Sequence, residues 1–172
     1  MVKRAPSRFS PSALARETCH FEAELPISQL PRLSEQLLST DGVLTSTFGV
    51  NQRKNHSVIR GSLAFEASMQ CQRCMEAFVT PIAVEFELVC VDSQAEADAL
   101  PDTLDPIVLD ENGQLHLVDL LEDDALLALP DIPKHVNDAS CLPGEKSFGE
   151  VDESATKQKP NPFGALKDLK LS

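Results

Sequence analysis

A chain of 172 residues with 42% hydrophobic content is long enough for one packed domain and too apolar for global disorder. Tyr and Trp are absent and eight Phe supply all the aromatic side chains, which argues against a binding face of stacked aromatic platforms. The formal net charge of −12 argues against nonspecific attraction to nucleic acid through bulk charge.

The charge is unevenly spread. Residues 1–73 carry nine basic and six acidic side chains, whereas residues 74–133 carry fifteen acidic side chains and no Lys or Arg. Residues 134–172 balance six against six. An acidic block of that length suits either a solvated surface or a basic partner, with ribosomal proteins the obvious class.

Residues 1–18 read as a mobile basic arm. The start, Met1-Val2-Lys3-Arg4-Ala5-Pro6, lacks the apolar stretch of a secretory signal. No run approaches the roughly 18 apolar residues of a membrane span. A cytoplasmic protein without a membrane partner is therefore expected.

A single domain is expected over 19–133. From Ile27 to Ser39, Leu30, Leu33, Leu37 and Leu38 recur at helical spacing, with Pro31 tolerable only in the first turn. Asp41-Gly42 marks a turn. Val43–Val50 and Val58–Met69 alternate like strands, with 51–56 as the hairpin loop between them. A third strand runs from about Phe78 to Val91, where Pro81 points to an edge or a bulge. Its face Ile82, Val84, Phe86, Leu88, Cys90 makes Cys90 a small buried hydrophobe.

Residues 92–106 are acidic and punctuated by proline, as in an exposed loop. Residues 107–109 and 115–117 flank the turn signature Asp110-Glu111-Asn112-Gly113, which predicts a second hairpin. Asp119 can cap a helix that runs to Leu129 and stops at Pro130. Consecutive Glu122, Asp123 and Asp124 point about 100° apart on a helix, so they read as a solvated face rather than a cation site. Residues 134–172 form a polar loop and tail, ending in a short amphipathic helix. There Phe163, Leu166 and Leu169 share a face that could dock on a partner. The order of elements predicts an α+β fold, an antiparallel sheet packed with a few helices and flanked by irregular N- and C-terminal tails.

Five cysteines in a chain without a secretory signal suit thiols or metal ligands better than a disulfide framework. Cys71-Gln72-Arg73-Cys74 lies between two predicted strands, like a zinc knuckle at a hairpin tip. Two sulfurs do not complete a structural site, and His135 and Cys141, with five residues between them, are the clustered candidates for the other half. A thioredoxin-type thiol pair at Cys71 and Cys74 is the enzymatic alternative, though such a pair opens a helix after a strand. No catalytic triad, phosphate loop or metalloprotease helix is present, so neither an enzyme nor a small-molecule substrate is expected. Arg53, Lys54, Arg60 and Arg73 are the candidates for direct RNA contact.

The segment Cys71-Gln72-Arg73-Cys74-Met75-Glu76-Ala77-Phe78 resembles the Cys-x-Arg-Cys-x-x-x-Phe segment of the bacterial YceD family, the large ribosomal RNA subunit accumulation proteins. Glu122 to Pro130, followed by Pro133 and His135, is similar to that family's glutamate-led helix ending in Leu-Ala-Leu-Pro. The ending from Lys159 to Leu166 resembles the tail of its proteobacterial members. The resemblance implies a cytosolic, noncatalytic factor affecting synthesis, processing or stability of 23S ribosomal RNA, with a precursor particle or a ribosomal protein as partner. Some members carry further cysteines after the helix that would complete a zinc site; this sequence has His135 and Cys141 there.

Overall fold

The computed structural model describes residues 2–16, 20–135 and 141. Its strands are β1 (Val2–Arg4), β2 (Arg8–Phe9), β3 (His20–Pro26), β4 (Val43–Arg53), β5 (His56–Gln70), β6 (Ala77–Val91), β7 (Asp105–Val108) and β8 (Leu115–His116). Its helices are α1 (Pro11–Leu14), α2 (Pro31–Gln36), α3 (Gln94–Asp98) and α4 (Leu117–Leu127), with a 3-10 turn at Ile27–Gln29. The fold is α+β, as the order of elements predicts.

Period-two alternation builds the centre of the sheet. β3, β4, β5 and β6 pair antiparallel in sequence order, and each sends alternate side chains to one buried face. Phe21 lies opposite Phe48, Phe48 opposite Gly61, and Gly61 opposite Phe86. Phe9 and Phe21 stack on Phe48 at centroid separations of 5.8 and 5.6 Å. Gly61 is glycine because a Cβ there would lie 2.6 Å from the Phe48 Cβ and 2.7 Å from the Phe86 ring. Cys90 is buried in this core, where desolvation pushes its thiol up to about 12.

The sheet is mixed rather than wholly antiparallel, because both edges are parallel additions: β1 on β3 and β7 on β6. The segment expected to be a free basic arm supplies β1 and also β2, which pairs with β8 and carries the buried Phe9. Burying that ring against Phe48 gives the segment a reason to pack. The described residues fall in one compact unit, Met1–Cys141.

Four further expectations change. The helix expected over 27–39 divides into the 3-10 turn and α2, with Pro31 at the start of α2; the Leu38 N–H donates to Ser68 O, so the chain has already turned to the sheet. The loop expected at 92–106 contains α3, capped by the Ser93 hydroxyl. The turn at 110–113 forms, with the Asp110 carboxylate accepting from Asn112 N and Gln114 N and with Gly113 at φ 69°. It does not close a hairpin, since β7 pairs with β6 and β8 with β2. Asp119 lies in the first turn of α4 rather than capping it, His116 being the cap residue.

α2 and α4 touch each other, and α4 also packs on β6. Leu30, Leu33, Leu120, Leu121 and Ala125 from this layer are buried in the main core. Pro81 lies on the part of β6 that β7 does not reach, since β7 covers 88–91 alone. That placement bears out the edge reading of a proline that lacks an N–H.

Candidate metal centre

β5 ends at Gln70 and β6 begins at Ala77, and the tight turn between them carries Cys71 and Cys74. Met75, at φ 66°, reverses the chain. The turn is closed by Met75 N donating to Cys71 O and Cys71 N donating to Glu76 O, both 2.9 Å. No helix follows the cysteines, so the local geometry is that of a knuckle and not of a thioredoxin-type pair. After α4, Pro133 O accepts from Gln72 N at 2.9 Å, which lays the segment bearing His135 against the knuckle. The Phe78 ring packs on the His135 imidazole at a centroid distance of 4.7 Å.

Cys71, Cys74, His135 and Cys141 converge, with all four ligand atoms within 4.8 Å of one another. The sulfurs of Cys71 and Cys141 are 3.4 Å apart. His135 Nδ1 lies 3.1 Å from the Cys141 sulfur and 3.6 Å from the Cys74 sulfur. Zinc bonds of about 2.3 Å to sulfur and 2.0–2.1 Å to nitrogen give tetrahedral edges of roughly 3.5–3.8 Å. The donor set and spacing therefore fit a Cys3His zinc site of the structural kind. A spacing of five residues between His135 and Cys141 is enough, because the ligands meet in space through the Gln72–Pro133 link.

The electrostatics divide the two cysteines of the knuckle. Burial opposes ionisation of Cys71, but hydrogen bonds from the backbone at Cys74, Arg73 and His135 and from the Cys141 thiol bring it down to about 5. For Cys74, a backbone hydrogen bond at Glu76 favours the thiolate, but burial and the sulfurs of Cys141 and Cys71 outweigh it and push the thiol up to about 11. One cysteine thus ionises easily and its neighbour resists, because crowded sulfurs do not all carry negative charge readily. Arg73 serves the cluster twice: its backbone N–H donates to Cys71 Sγ at 3.4 Å, and its guanidinium brings fixed positive charge, the Nε–H donating to Cys141 Sγ at 3.3 Å.

The four arginine and lysine candidates for RNA contact do not form one patch. Arg60 and Arg53 both pair with Glu87, and Lys54 occupies the β4–β5 turn at φ 56°. Arg73 lies at the opposite end of β5, on the sulfur cluster. Phe163, Leu166 and Leu169 lie outside the described residues.

One interaction was not legible in the sequence. Glu122 is 1% exposed, not part of a solvated face. Its Oε1 accepts from Leu33 N at 3.0 Å and its Oε2 from Arg32 Nε at 2.8 Å, tying α4 to α2. Asp123 also accepts from Arg32, at 2.6 Å. Asp124 has a buried oxygen without a hydrogen-bond partner, and burial, then the charges of Asp123 and Asp105, raise its carboxyl to about 6. The glutamate at the head of the resembling helix was the available signal, but its partners lie about ninety residues earlier.

Each side chain in the Cys-x-Arg-Cys-x-x-x-Phe pattern thus has a part in one centre. A profile of the family described as "Large ribosomal RNA subunit accumulation protein YceD" matches residues 59–170. A Haemophilus influenzae protein with the same description is 34% identical over 146 residues, covering 83% of each chain. The chain belongs to the YceD family. No solved structure matches it significantly. Among the described residues, no helix of this family member is long and apolar enough to cross a membrane.

Proposed function

We propose that this chain is a noncatalytic cytoplasmic factor that promotes accumulation of 23S ribosomal RNA by binding a precursor particle or a ribosomal protein. Its membership of the YceD family carries the reading, since the Haemophilus influenzae relative is described as a large ribosomal RNA subunit accumulation protein. The centre at Cys71, Cys74, His135 and Cys141 supports a noncatalytic role. Four protein ligands leave no open coordination position, which is the arrangement of structural rather than catalytic zinc. Zinc bound there would link the β5–β6 turn to the segment after α4, and Arg73 would offset the net negative charge of three thiolates around a divalent ion.

Direct RNA binding has less support, because Arg53 and Arg60 are engaged by Glu87 and Arg73 by the sulfurs. Removal of the gene from its host should lower 23S relative to 16S RNA, and re-expression of the intact chain should restore it. An unchanged ratio of the two RNAs would overturn the reading. A chain lacking residues 160–172, and with them Phe163, Leu166 and Leu169, should lose its association with precursor particles in sedimentation.

A further inference from the structure

A groove of about 480 Å³ of open space, more apolar than polar, lies between β6 and the C-terminal half of α4. It is lined by Val84, Leu120 and Leu127, with Glu85, Asp105 and Asp124 among the residues at its walls. Leu127 is 84% exposed, the most exposed large apolar side chain among the described residues. A leucine so placed, on a helix whose Leu120, Leu121 and Ala125 are buried, is surplus to the core that the described residues form.

Charge selects what could cover it. All the groove walls belong to the block 74–133, which has no Lys or Arg. Two nearby carboxylates already have cationic partners: Glu87 pairs with Arg53 and Arg60, and Asp123 with Arg32. Glu85, Asp105 and Asp124 have none among the described residues, and Asp124 Oδ2 is buried without a hydrogen-bond donor. The groove also opens where β7 begins, with Asp105 opposite Leu88. Beyond that point, among the described residues, the outer edge of β6 has no strand partner. Phosphate would be repelled here, whereas ammonium or guanidinium groups would satisfy acceptors that the fold leaves open.

We propose that the groove between α4 and the open end of β6 docks a cationic, amphipathic segment of a partner polypeptide. Its apolar side chains cover Leu127 and Leu120, and its Lys or Arg groups meet Asp124 and Asp105. This goes beyond the proposed role in RNA accumulation and names the chemistry of one protein partner; an RNA phenotype could hold without it.

The test uses the full-length protein and a short synthetic peptide of alternating lysine and leucine, followed by NMR chemical-shift mapping and anisotropy. Shifts should cluster at Val84, Asp105, Asp124 and Leu127. Leu127→Ser and Asp105→Asn should each weaken binding by about tenfold, the loss expected for a central contact. Both positions are exposed enough for the variants to fold, which their unperturbed spectra elsewhere would verify. Equal binding by a lysine–serine or a glutamate–leucine peptide would overturn the proposal. So would shifts scattered over the acidic surface, or an RNA oligonucleotide displacing the peptide from the same residues.

Discussion

Arg32 and Glu122 are unequal partners, because the arginine side chain is half exposed and the glutamate side chain is buried. Removing the arginine strands a buried charge, whereas neutralising the glutamate does not. Arg32→Met should therefore be the more damaging of the two changes. Glu122→Gln keeps an oxygen for Leu33 N–H and should cost about 1 kcal/mol. Denaturant unfolding of the two variants would check the order, and equal losses would sink the account. Asp124 responds to pH in the opposite sense from a salt-bridged acid. Its folded value of about 6 lies above the unfolded value of about 4, so the folded state binds more protons between them. Asp124 thus favours folding at low pH, and that contribution is lost as pH rises through about 6. Asp124→Asn should be more stable than the parent near neutral pH, with the gap closing toward pH 4 in parallel melts. These effects were hidden in the sequence because burial of Glu122 and Asp124 depends on residues far away in the chain, not on helical period.

At the scale of elements, β4, β5 and β6 were legible because each alternates and each pairs with its neighbour in sequence. The pairings of β2 with β8 and of β7 with β6 were not. Short strands carry little pattern, and turn chemistry at Asp110–Gly113 fixes a turn without fixing what its flanks pair with. The centre of the sheet makes its own demand at Gly61, which lies between Phe48 and Phe86 across two strand pairs. Gly61→Ala should lower stability by about 1–3 kcal/mol through overpacking. Ala at the neighbouring outer-face Ser62 should cost much less. Thermal melts of both variants would test whether the site, rather than the strand, is what resists a Cβ.

For the whole molecule, the four candidate metal ligands were legible as one set, but the contact that brings their two halves together was not. It is made by Gln72 and Pro133, joining the knuckle to the far side of α4. Purified protein should carry about one zinc per chain, measured by metal analysis. Cys71→Ser should lose it and melt at lower temperature, since structural zinc contributes to folding. Cys90→Ser should keep the metal, because that sulfur is buried in the main core. A parent protein that is fully folded and metal-free after purification with zinc present would contradict the assignment.

The same arrangement puts the centre on a clock. Cys71 and Cys74 are synthesised before His135 and Cys141 exist. At about 5–20 residues per second, residue 141 follows residue 71 by roughly 4–14 s. During that interval a nascent chain offers an ion two sulfurs and leaves its other positions to passing ligands. Closure comes only once the strands and α4 have been made, so with zinc bound there a chain halted before Cys141 would hold metal exchangeably, whereas a finished one would retain it.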